Sequence, residues 1–91
     1  MTPAERAALD RFAAASTGRA RRLRLLAEAD EALAAHLLRC PEGDDAARMT
    51  WQRQYARLVQ DTDRAGVALV AASTRARDAW TAWEQAFAEG A

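Results

Sequence analysis

The amino-acid sequence predicts an all-α protein, a single helical domain over residues 1–91 folded as one long antiparallel hairpin of two helices, at about 3–39 and 45–88. Three observations carry this reading. Alanine fills 25 of 91 positions, and Ala, Leu, Arg and Glu, all strong helix formers, are interrupted by only 4 Gly and 2 Pro. Strand-type residues are scarce, with no Ile and Val at three positions only. Apolar residues also recur in steps of four and three along two stretches, the spacing of one face of a helix packed on another.

The first helix has a defined start. Thr2 is placed to cap, Pro3 suits the first helical position, and Glu5 supplies the carboxylate of a capping box. From there Glu5, Leu9, Phe12, Ser16, Arg19, Leu23, Leu26, Asp30, Leu33 and Leu37 form a heptad-type seam. Ser16-Thr17-Gly18 weakens the helix and offers a break into three helices. The seam keeps its phase across it, so one continuous helix is expected. The strong break is Arg39-Cys40-Pro41-Glu42-Gly43-Asp44, because Pro disfavours helical geometry in the residue before it and Gly supplies turn freedom. Asp44 then caps the second helix, with Asp45 in its first turn, where negative charge suits the dipole.

The second seam reads Trp51, Tyr55, Leu58, Thr62, Gly66, Leu69, Ser73, Ala76, Trp80, Trp83 and Phe87. Folding about the Pro41–Gly43 turn sets position i against roughly 84 or 85 minus i. Leu33 is then expected on Trp51, Leu26 on Leu58, Ser16 on Leu69, and Phe12 on Ala72 and Ser73. Asp30 is expected to face Tyr55 and accept its hydroxyl. Trp83 falls opposite Thr2, and Phe87 lies beyond the covering helix.

Composition bounds the function. Net charge is zero, with 13 basic and 13 acidic residues, and every basic residue is Arg. That balance argues against a dedicated nucleic-acid binder, which should be net basic. The lone Cys40 excludes an internal disulfide. The longest apolar run, Ala65 to Ala72, falls far short of the roughly 20 residues a membrane span needs. The N-terminus lacks a charged-then-apolar signal pattern, so a soluble cytoplasmic chain is expected, with signal-less export by a dedicated machine left open.

No catalytic, metal or cofactor constellation is present. Such sites need converging His, Asp, Glu or Cys, and the one His, His36, falls one step off the seam. Asp30 reads as a register-setting polar residue rather than a catalytic acid. The chain is therefore expected not to be an enzyme. Arg19, Arg21, Arg22 and Arg24 form a cluster spread around the helix, with Glu28 placed to pair with Arg24. Arg19 and Arg22 are candidates for an anionic partner surface, or for nucleic acid as the alternative reading. The most informative feature is Trp80, Trp83 and Phe87, which share one face near the end of the second helix. Aromatics beyond the end of a covering helix expose apolar area, and such patches mark sites for another protein chain or a second copy.

Cys40-Pro41-Glu42 at the turn and Trp51-Gln52-Arg53-Gln54, with Ala56 and Leu58 beyond, resemble the small helical-hairpin co-chaperones of type III secretion needle subunits. The resemblance covers about 25 residues. It implies pairing with a repeat-containing chaperone and holding of a needle subunit as a monomer. Length and two-helix shape are also similar to the WXG-type secreted hairpins. That family carries Trp-x-Gly in its turn, and the segment Arg39 to Asp44 contains no Trp.

Overall fold

The computed structural model describes residues 1–90. They form two helices, α1 (Pro3–Leu37) and α2 (Asp45–Gly90), packed antiparallel over their length in a rod of 70 × 14 × 13 Å. The expected all-α hairpin is what forms. Helix α1 runs through Ser16–Gly18 without a break, so the three-helix alternative does not occur. Thr17 returns its hydroxyl there to the carbonyl of Ala13 at 3.0 Å. A Cβ on Gly18 would meet nothing within 4 Å. Gly18→Ala is therefore expected to stabilise the chain by about 0.5–1 kcal/mol, read as a higher urea midpoint at unchanged slope.

The ends follow the local chemistry. Thr2 has extended geometry and its hydroxyl accepts the Glu5 backbone N–H at 3.1 Å. The expected reciprocal half of the capping box is replaced: Glu5 turns inward, is buried, and lays its carboxylate against Gly90. Helix α1 stops two residues earlier than expected, with Leu38 as its C-cap. In the connection Gly43 adopts φ +78°, a backbone that L side chains rarely adopt. Asp44 caps α2 by accepting the Ala46 N–H at 3.0 Å. Helix α2 extends two residues past the expected end.

Packing keeps Glu5, Phe12, Leu26, Leu33, Trp51, Leu58, Thr62, Leu69, Ala76 and Trp83 of the expected seam inward and shifts the alternate positions by one residue. The inward positions of α2 are Trp51, Leu58, Thr62, Ala65, Leu69, Ala72, Ala76, Ala79, Trp83 and Ala86. From Leu58 these alternate strictly by four and three. The expected seam broke that alternation by taking two steps of four in succession, Leu58 to Thr62 to Gly66, and thereafter followed the larger residues. In α1 the inward line runs through Ala8, Ala15, Ala29 and His36, one residue before Leu9, Ser16, Asp30 and Leu37. Ala8 and Ala72 are the most buried residues, at 2% and 3% exposure, and no large side chain is fully buried among the described residues. Alanines inside let two backbones approach, and the bulkier residues are left on the flank.

The register is also displaced. Phe12 meets Trp80, with ring centroids 5.1 Å apart, instead of Ala72 and Ser73, about two helical turns further along α2. Arg19 donates to the Ser73 hydroxyl at 3.1 Å. Two causes act together. The chain from Leu38 to Asp44 is a seven-residue connection rather than a tight turn, so α2 has completed more than a turn before it meets α1. Helical side chains also lean toward their own N-terminus. In an antiparallel pair those of α1 lean away from the turn and those of α2 toward it, so each α1 side chain meets a later residue of α2. Asp30 is accordingly exposed, and Tyr55 stacks on Trp51 instead of serving as its donor.

Candidate partner-binding surface

The displaced register changes what lies at the open end of the hairpin. The N-terminus of α1 is level with the C-terminus of α2, as the Glu5–Gly90 approach requires. Trp83 therefore lies inward, and Phe87 falls within the length of α1 rather than beyond the covering helix. Trp80 and Phe87, each one residue after an inward Ala79 or Ala86, sit on the flank, 43% and 55% exposed. The rings join into a ribbon. Phe12 is 5.1 Å from Trp80, Trp80 is 5.1 Å from Trp83, and Trp83 is 5.6 Å from Phe87. Such tilted and offset contacts suit ring quadrupoles. Helix spacing brings the last three together, and the register adds Phe12.

The ribbon holds an unmatched group. The Trp83 indole Nε1 is buried and has no hydrogen-bond partner among the described residues. An orphaned buried donor costs about 1–3 kcal/mol. Trp80 and Phe87 are exposed and Phe12 and Trp83 part-buried, so the surface is an apolar strip with an unused donor beneath it.

The arginine cluster is less of a unit than the aromatic one. Arg19 is engaged across the hairpin with Ser73. A shallow groove runs between the helices here, lined by Phe12, Ser16, Arg19, Ser73, Ala76, Arg77 and Trp80. Arg21, Arg22 and Arg24 are exposed. Arg22 falls on the inward line by spacing, yet its side chain is long enough to escape to water.

The turn end is closed by a clasp that the sequence reading missed. His36 lies on the inward line, and its ring stacks on Trp51 with centroids 4.8 Å apart and an interplanar angle of 12°. The pair exchange hydrogen bonds: Trp51 Nε1 donates to the His36 carbonyl at 2.9 Å, and His36 Nε2 donates to the Trp51 carbonyl at 2.8 Å. A carbonyl only accepts, so Nε2 carries the proton. Tyr55 extends the stack, 5.6 Å from Trp51. The signal for this lay in the four-and-three alternation, which places His36 inward when it is started from Ala8 rather than Leu9.

Other exposed apolar residues include Leu23, Leu37, Val67 and Val70. Their number on an extended hairpin is consistent with a protein that binds a partner. Among the described residues no group of three His, Cys, Asp or Glu is placed to hold a metal ion, and no helix is long and apolar enough to cross a membrane. No family model, curated protein or solved structure matches this chain.

Proposed function

We propose that this chain is a protein-binding hairpin, adaptor- or chaperone-like, without a catalytic role, that presents its aromatic ribbon to another protein chain. The observation that carries the reading is the half-exposed pair Trp80 and Phe87 over the unpaired Trp83 indole. Large aromatic side chains bury about 150–250 Å² each when covered. Aromatic anchors of that kind dominate interface energetics. A place in a secretion system rests on the turn motifs Cys40-Pro41-Glu42 and Trp51-Gln52-Arg53-Gln54 alone and is the finer part of the proposal.

The test is the double substitution Trp80→Ala and Phe87→Ala, followed by capture of partners from the cell of origin and by circular dichroism. Both residues lie on the flank, so helix content should stay within about a tenth of the parent value, while capture should fall at least tenfold, or about 1.4 kcal/mol. Capture unchanged by the substitution defeats the reading. Retention on DNA that weakens steeply with salt would instead favour the Arg19–Arg24 face and nucleic acid.

A further inference from the structure

The inward lines fix what lies beside them. In α1 the residue after Ala8, Ala15, Arg22, Ala29 and His36 gives Leu9, Ser16, Leu23, Asp30 and Leu37 at steps of seven. In α2 the residue after Leu58, Ala65, Ala72, Ala79 and Ala86 gives Val59, Gly66, Ser73, Trp80 and Phe87. Two right-handed helices packed antiparallel are related by a two-fold axis normal to the plane of the hairpin. Positions following the inward line by one residue therefore emerge on the same side of both helices. The Arg19–Ser73 bond and the groove shared by Ser16, Ser73 and Trp80 lie on that side. One broad face thus collects Leu9, Leu23, Leu37, Val59, Trp80 and Phe87, with Asp30 as its one charge. The opposite flank carries Arg11, Gly18, Asp61, Arg75 and Glu89 with a single large apolar residue, Leu25.

We infer that this face is covered by a second copy of the chain, laid face to face and running in the opposite direction, so that two hairpins form a four-helix bundle. The inference rests on the reading of the aromatic surface as a protein-binding site and names its occupant. Area supports it. The chain exposes 6812 Å², whereas a compact monomer of 10.0 kDa exposes about 5,200 Å². The face is two helices wide, about 20 Å, and about 50 Å long. That offers on the order of 1,000 Å² per copy, above the roughly 800 Å² per partner of a stable interface.

Charge fixes the direction. Along the edge of α2 beside this face stand Asp63, Val70 and Arg77, an acid and a base seven residues either side of an apolar centre. Val70 is 66% exposed. In an antiparallel pair whose axis passes at Val70, each Asp63 meets the Arg77 of the other copy and Val70 meets Val70. The same axis sets Leu23 over Ser16 and Val59 over Trp80, large against small or apolar against aromatic, and Leu9 over Asp30, the one charge it leaves unmatched. In the parallel pairing the edge of α2 instead faces Ala13, Ala20 and Ala27 of α1, and neither charge is matched.

The native Cys40 is exposed at the turn and serves as the probe. The full chain is spin-labelled there and its oligomeric state measured by sedimentation, with pulsed dipolar spectroscopy for the distance. The expected result is a dimer with labels about 60 Å apart, at opposite ends of the bundle. Asp63→Arg should weaken the dimer at least tenfold, and adding Arg77→Asp should restore it. Arg75→Asp, on the opposite flank of α2, should leave it unchanged. A label separation within about 30 Å overturns the antiparallel pairing, and failure of the charge swap to rescue overturns the interface. A monomer at all concentrations overturns the second copy as occupant. In that case, capture sensitive to Trp80→Ala and Phe87→Ala leaves the protein-binding reading standing, and insensitive capture removes both.

Discussion

Trp51→Ala is expected to destabilise the hairpin by roughly 2–4 kcal/mol, below the loss for a fully buried Trp because this side chain is part-exposed. Three things go at once. The ring leaves its stack between His36 and Tyr55. The His36 carbonyl, among the last of α1 and shared with the Arg39 N–H, loses the indole donor. The His36 ring keeps its bond to the residue 51 carbonyl but loses the surface that holds it in place. Trp51→Phe should cost about 1 kcal/mol, since the stack survives and one hydrogen bond is lost. Urea titration followed by helix content reads both. A Trp51→Ala variant within about 0.5 kcal/mol of the parent would mean that the hairpin closes through the alanine lines alone and that the clasp only decorates the turn.

The clasp also shows where sequence reading succeeded and where it stopped. Helix existence, the continuous α1, the Thr2 and Asp44 caps and the turn at Pro41–Gly43 were all legible. Each is set by local chemistry: propensity, cap oxygens, the restriction before proline, a positive φ at glycine. Half of the seam, from Phe12, Leu26 and Leu33 to Leu69, Ala76 and Trp83, was also read correctly; the alternate positions were taken one residue late, and the reason is physical. Periodicity analysis weights large apolar side chains, which in a bulky core point inward. Here Ala65, Ala72, Ala79 and Ala86 occupy the interior, and Gly66, Ser73, Trp80 and Phe87 stand beside them. A one-residue shift in both helices moved Asp30 and Leu37 outward and His36 inward. The register depended further on the length of the connection and the lean of side chains along each helix, which no pattern within a single helix encodes. For the candidate surface, the sequence grouped Trp80, Trp83 and Phe87 by spacing. Only the register could add Phe12 and show that Trp83 turns inward while its neighbours stay in water.

The sharpest test of that phase is Ala72→Asp, which should cost on the order of 3 kcal/mol or more. Ala72 is 3% exposed and faces α1 midway along the contact. An aspartate there must bury a carboxylate between two helices with no donor provided, or force them apart. Neither is tolerable where the interior line is alanine, because no large neighbouring side chain can rearrange to make room. A domain of this size has about 5–14 kcal/mol in total, and an extended hairpin with so little fully buried side chain belongs at the lower end. Much of the stability should therefore go, visible as loss of helical circular dichroism well below the parent melting temperature. The paired control is Val67→Asp. Val67 is five residues away on the same helix, apolar like Ala72, but 71% exposed on the outer side of α2. It should change stability by no more than about 0.5 kcal/mol. If the helix were packed in the phase that the large residues suggest, with Ser73 and Gly66 inward, Ala72 would sit nearer the edge and its aspartate could reach water. A mild Ala72→Asp would then be the expected outcome, and Gly66→Asp the severe one. The order of these three variants therefore decides which line of α2 faces α1.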